Sequence, residues 1–314
     1  MKGGVLAVMG SYASVTVLTS AAATFRGIFA FGFNDVAELN AINMLSNTGV
    51  LSLDTAGVGT VRDSLAAATY GGDKAIFGYG FDGFSGLGMS NLVSNIGIVS
   101  TDVTGVGTAR LSLAATGYGT DKAIFGYGVV YTATDVSITN LVSNTGVISS
   151  DTTGVGTTRS GLAASRYGGD KAIFGYGVAN GVDSLLTNLV SNTGVVATDT
   201  TGIITARHGV AACTYGGDKA IFGYGIATNY LSVTNLVTNT GVISGAVVSA
   251  TPPRGNLSAT GYGGDKGIFA FGLTGISAYV STSNLVSNTG IVATSVAGVG
   301  GAKAYNAAAG FSLT

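Results

Sequence analysis

The chain has almost none of the residues that most often carry out chemistry. One histidine, His208, and one cysteine, Cys213, stand in 314 residues, with no tryptophan and a single glutamate, Glu38. A lone cysteine excludes an intrachain disulfide and leaves the redox compartment unread. One histidine and one cysteine are too few for the usual ligand set of a zinc or copper centre. No metal and no cofactor is therefore expected, and no enzyme activity. Charged residues make up 9% of the chain, against about 25% in an ordinary soluble domain. The net charge is −1, with no basic run to attract nucleic acid or an anionic lipid surface. Proline occurs twice. No apolar run reaches the roughly 18 residues of a membrane span. Lys2, the apolar run Val5 to Met9 and the small residues Ala21 to Ala23 sketch a secretory leader. Gly10, Ser11, Ser14 and Thr16 interrupt it, so no cleaved leader is expected.

What the chain has in quantity is glycine, 52 residues, and apolar side chains, 46% of the total. A disordered chain needs the opposite balance. The chain should fold, and cover itself mainly with Ser, Thr, Asn and Gly. A surface with so little charge favours association, which points to a protein that lives in an assembly.

The sequence repeats. Asp-Lys-Ala-Ile-Phe-Gly-Tyr-Gly begins at Asp73, Asp121, Asp170 and Asp218, a modified copy begins at Asp265, and a further one is visible from Arg26 to Gly32. A second marker, Asn-Leu-Val-Ser-Asn-Thr-Gly or a close variant, ends at Gly49, Gly97, Gly146, Gly194, Gly241 and Gly290. Both recur every 47 to 49 residues, a period typical of stacked or circular repeats. Within each unit Leu65 to Tyr70 is small and apolar, and Gly71-Gly72 suits a tight hairpin. Ala75, Phe77 and Tyr79 alternate with Ile76 and Gly78, a strand period. Asn91-Leu92-Val93 reads as a third strand and Ile98 to Thr101 as a fourth, outer one. Four strands per unit, six times over, predict an all-β propeller of six four-stranded antiparallel blades.

The order Arg159-Ser-Gly-Leu-Ala-Ala, Asp170-Lys-Ala-Ile-Phe-Gly-Tyr-Gly177, Asn188-Leu-Val-Ser-Asn-Thr-Gly194 resembles the kelch repeat family, over about residues 14 to 311. The resemblance implies a kelch-like β-propeller. It departs in two respects: the diglycine is spread to Gly-Tyr-Gly, and the tryptophan of the fourth strand is absent. Lys303 to Phe311 looks like a further innermost strand that pairs with the first blade and closes the ring. The competing reading gives that place to Val15 to Thr24. Residues 1–20 then form an extension or a closing strand, and 21–314 a single domain.

Charges fall at fixed repeat positions. Arg62, Arg110, Arg159, Arg207, Arg254 and Lys303 precede the inner strands, and Asp54, Asp102, Asp151 and Asp199 each stand eight residues before a cation. A ring of arginines could bind anions at a channel mouth. The structural alternative, bonds to carbonyls between blades or to the neighbouring Asp, suits a site repeated in near-identical context. His208 reads as a structural histidine, and the Asp-Lys pairs as turn and surface residues. The repeated Phe77, Phe125, Phe174 and Phe222 read as packing between blades. The loops between second and third strands vary and carry Phe84, Tyr131, Tyr230 and Tyr279. Variable loops on a rigid scaffold are a common way to build a recognition surface, so these four are the candidate binding residues.

The sequence-level expectation is a virion structural or adhesive protein of a phage-like particle, on a capsid or tail, contacting copies of itself, other virion proteins or a host glycan or receptor. The alternative is an extracellular or surface lectin-like propeller.

Overall fold

The structure, a computed structural model, describes residues 25–311 apart from residues 133, 204 and 250. The expected extension 1–20, and Val15 to Thr24 as a competing closing strand, lie outside the described residues. Every regular element among the described residues is a strand, and all pairings are antiparallel. No helix is present there that is long and apolar enough to cross a membrane.

Each repeat builds one small sheet. In the repeat of Leu65 the inner strand Ala66–Tyr70 alternates buried and half-buried residues, so one face packs and the other lines a space. Alanine and threonine suit that crowded position. The second strand, Lys74–Gly78, is buried on both faces from Ala75 onward, which is why Ala-Ile-Phe-Gly lacks polar side chains. The register sets Ala66 opposite Gly78 and Tyr70 opposite Lys74, with Phe77 opposite Asn91 of the third strand, Ser90–Val93. Gly71 and Gly72 close the hairpin at φ +62° and +81°, where a Cβ would be strained. Gly71 N–H then donates to Asp121 O of the next repeat at 2.7 Å.

The expected fourth strand is mostly absent as a strand. Among the described residues only Thr200–Thr201 and Ile243–Val248 form one. Elsewhere the outer segment is held by isolated bridges such as Ser90 to Val103 and Val93 to Val99. Scattered backbone bonds remain, such as Ser100 N–H to Leu92 O at 2.8 Å, and side chains fill in the ladder between them. Asn91 Nδ2 donates to Ser100 O at 3.0 Å and to Asp102 Oδ1 at 2.9 Å, and Leu92 N–H donates to Ser100 Oγ at 2.9 Å. In the repeat of Asn235 the Asp position is Ala246, and there Asn235 pairs opposite Ala246 in a continuous strand.

The core lies between sheets. One cluster joins Ile76 and Tyr79 of one repeat to Leu113 and Phe125 of the next. Another joins Phe31 and Ala309 to Leu65 and Phe77, and a third joins Phe29 to Ile268 and Phe271. Each fully buried aromatic contributes about 1.5–3 kcal/mol, so a repeat gains most of its stability from its neighbours. The C-terminal strand Ala307–Gly310 pairs with Phe25–Phe33, Gly27 opposite Gly310 and Ala30 opposite Ala307. It occupies the inner-strand place of the first sheet, beside Glu38–Ser46 on the far side.

Six backbone bonds form a cycle. Ser64 N–H donates to Tyr305 O, Tyr305 to Asn256, Asn256 to Gly209, Gly209 to Gly161, Gly161 to Ser112, and Ser112 to Ser64, at 2.7 to 2.9 Å. All six residues have φ between 51° and 60°. The left-handed turn aims each N–H at one neighbour and each C=O at the other.

Candidate functional site

The Arg and Lys positions are the most regular polar feature. All six side chains are at most 1% exposed, so their charged ends are enclosed and out of reach of an anion at an open mouth. Each lies over an aromatic ring of the preceding repeat: Arg110 over Tyr79 at 4.3 Å, Arg207 over Tyr176 at 4.0 Å, Lys303 over Phe271 at 4.7 Å. The ring itself packs edge-on against the next repeat's phenylalanine, Tyr79 to Phe125 at 5.2 Å. Cation–π contact of this desolvated kind is worth about 2 kcal/mol. Arg110 Nη2 donates to Asn140 Oδ1 at 2.7 Å, Nη1 to Thr108 O and Nε to Tyr127 O. The aromatic that carries the cation sits at positive φ in every repeat, for example Tyr79 at +64° and Phe271 at +65°. Left-handed backbone is uncommon for an aromatic residue, and here the ring is held on both sides.

The carboxylate partner differs from the one that sequence proximity suggests. Asp102 approaches Arg62 at 3.8 Å, Asp151 approaches Arg110 at 4.0 Å and Asp54 approaches Lys303 at 3.2 Å. Each Asp therefore serves the cation of its own sheet, not the one eight residues later, because the Asn of that sheet's third strand gathers both. Thr60 completes the joint, donating N–H and Oγ1 to Asp102 Oδ2 at 3.0 and 2.7 Å. Partial burial pushes the Asp102 carboxyl up, but the bonds from Thr60 and Asn91 and the Arg62 charge outweigh it and hold it below the usual carboxylate range. Burial pulls Arg62 down to about 10 against the opposing charge of Asp102.

The loops between second and third strands sit at the opposite end of each sheet from the Asp-Lys turns. Phe84 is 85% exposed and Ile276 97%, with Val36 and Val182 also open to solvent at loop tips. Of the other candidates, Tyr131 is exposed and its ring lies 5.0 Å from Phe81 of the preceding loop. Tyr279 is half-buried against Phe33, 6.0 Å between centroids. Tyr230 is half-buried beside Gly255, whose missing Cβ leaves room chiefly for the Ile226 side chain, with the tyrosine ring next to it. Tyr279 and Tyr230 are brought together with Tyr305 and Asp63, and burial, reinforced by the neighbouring phenols and the Asp63 carboxyl, pushes the Tyr279 hydroxyl up and that of Tyr305 up to about 12. Burial, reinforced by the like charge of Glu38, pushes the Asp63 carboxyl up to about 6. The sequence reading missed this pair. Its signal was that Asp63 stands where other repeats carry Leu111, Ser160 or Gly255.

Beside these residues lies a cavity of about 260 Å³ reached by Ser64, Ser112, His208, Tyr305 and Asn306. Asn306 occupies the place of Leu65, Leu113, Leu162, Val210 and Leu257, and both atoms of its buried amide lack a partner among the described residues. His208 Nδ1 meets Asp183 Oδ1 at 2.6 Å, a link from one repeat's variable loop to the next repeat's inner segment. Cys213 is buried, and burial pushes its thiol up to about 12. Among the described residues no three His, Cys, Asp or Glu side chains converge as a metal site requires. The arrangement offers aromatic faces, hydroxyls, an amide and two carboxyls: means of recognition.

Neither a protein-family model nor a curated protein matches this chain.

Proposed function

We propose that the chain is a closed, six-bladed, kelch-like β-propeller that serves as a non-enzymatic structural or adhesive component of a virus particle. The cycle of six backbone bonds and the pairing of Ala307–Gly310 with Phe25–Phe33 support the closed arrangement. One observation carries the functional reading: a nearly constant scaffold presents variable loops with Phe84, Ile276 and Val36 open to solvent. Exposed apolar tips on a rigid frame suit docking to another protein surface. A second series points the same way. Val50, Ile98, Val147, Val195, Val242 and Ile291 follow the Asn-Thr-Gly-type turns and are 61–68% exposed, an apolar rim that packing in an assembly would cover.

Mass spectrometry of purified particles should find the chain in many copies. The double variant Phe84→Ser, Ile276→Ser should keep its circular dichroism spectrum and lose incorporation. Absence from particles overturns the virion reading, and wild-type incorporation of the variant overturns docking through the loops.

The lectin-like alternative is favoured by one specific grouping, Tyr230, Tyr279 and Tyr305 beside the Asp63 and Glu38 carboxyls. Saccharides are commonly held by aromatic faces and carboxylates acting on ring hydroxyls. Glycan-array binding that is lost in Tyr279→Ala would replace the first reading with this one.

A further inference from the structure

A larger cavity, about 540 Å³, opens among the inner strands on the side of the Asp-Lys turns, away from the variable loops. Its wall is almost without charge. At one position of the inner strand the six repeats carry Thr69, Gly117, Arg166, Thr214, Gly261 and Gly310. Arg166 is thus the single ion in a ring of small residues. It lies along the neighbouring strand: a Cβ on Gly117 would stand 3.0 Å from Arg166 Cδ, so the glycine there leaves space for the arginine stem.

The guanidinium is only partly used. Nη2 donates to Gly119 O at 3.0 Å and to Gly169 O at 2.5 Å. These bonds span two adjacent turns and fix the direction of the group. Nε and Nη1 make no hydrogen bond among the described residues, and neither is sealed from solvent. Among the described residues no carboxylate lies within salt-bridge distance either. The acid at the neighbouring turn, Asp170, is engaged by Lys171 at 3.2 Å and by Asn192 at 3.0 Å. At the cavity rim Lys266 is held by Asp265 at 2.7 Å and Asp218 by Lys219 at 3.1 Å. Among the described residues one positive charge is left over in a half-enclosed space.

We infer that this cavity is a binding site for a small oxyanion, such as a phosphate or carboxylate group, with Arg166 as its recognition residue. An arginine fixed by two carbonyls presents its remaining N–H groups without further ordering, and charge-assisted bonds to oxyanions are the strong ones. The Thr214 side chain at the same level of the wall adds a hydroxyl of the kind that completes an anion's shell, whereas the Thr69 hydroxyl donates to Gly310 O at 2.9 Å. The site is independent of the loop face and of whether the chain belongs to a virion.

The test is calorimetric titration of the full chain with inorganic phosphate and, separately, with acetate, at constant ionic strength held by chloride. At least one should bind the wild type. Arg166→Thr, which places the residue found at two equivalent positions, should weaken that binding by at least about tenfold, equivalent to about 1.4 kcal/mol. Arg166→Lys, which keeps the charge without the fork, should fall between. Wild-type protein that binds neither anion overturns the site, as does equal binding by Arg166→Thr. If Arg166→Thr fails to fold, Arg166→Lys and the wild type decide the matter alone.

Discussion

At the scale of single residues, Asp63 shows how one departure from a repeat alters the energetics. Its carboxyl is half-buried near Glu38 and titrates at about 6 in the folded chain, against about 3.9 in an unfolded one. Between those values the folded state binds more protons, so stability rises as pH falls from about 6 towards 4. The Asp102 and Asp151 carboxyls act in the opposite sense: held below their ordinary range, they favour the fold above about pH 4 and lose that contribution under more acid conditions. Asp63→Asn should therefore flatten the pH 4–6 portion of the stability profile and stabilise the protein at pH 7–8 by about 1–2 kcal/mol, partial exposure screening the rest. Urea denaturation at a series of pH values measures this, and an unchanged slope between pH 4 and 6 would contradict it. Arg166 and Asn306 are departures of the same kind. They were visible in the sequence only by aligning each repeat position across all six copies, since each is unremarkable within its own strand.

At the scale of elements, the hairpins were legible because tight turns need particular residues: Gly71-Gly72 and the Asn-Thr-Gly turns mark where strands end. The second strand was legible because burial on both faces forbids polar side chains. The outer segment was not. A run such as Ile98 to Thr101 has strand propensity, but Asn91 and Ser100 replace part of the ladder with side-chain bonds, which no alternation of apolar residues records. The carboxylate partner was hidden for a related reason: proximity along the chain favours the Asp eight residues before each Arg, whereas the sheet joins residues some forty apart. Because Asn140 ties its strand to the outer segment and to Arg110 at once, Asn140→Leu leaves a buried guanidinium, a carbonyl and a carboxylate each short of a partner. It should cost about 3–5 kcal/mol, read as a lower midpoint in guanidinium chloride. A loss below about 1 kcal/mol would mean that the aromatic contact, not the polar joint, holds the cation.

At the scale of the whole molecule, the sheet of Phe25–Phe33 is completed by residues from the other end of the described chain. Removing residues 303–314 would strip the inner strand from that sheet, expose the Gly27 to Ala30 edge, delete Phe311 and Ala309 from a core cluster and break two of the six cyclic bonds. An unpaired edge of this kind invites aggregation. The truncated chain should elute as aggregate on size-exclusion chromatography and lose its near-ultraviolet dichroism. A monomer that melts within a few degrees of the full chain would show that the terminal strand is dispensable.

A cycle in which every member both gives and receives has no outermost unit. In a linear array of repeats the end copies fray first and melting spreads inward. Here Ser64, Ser112, Gly161, Gly209, Asn256 and Tyr305 each have a neighbour on both sides, so no copy can peel away without parting two others. Near-identical modules should therefore melt together in one sharp calorimetric peak, with van't Hoff and measured enthalpies in agreement.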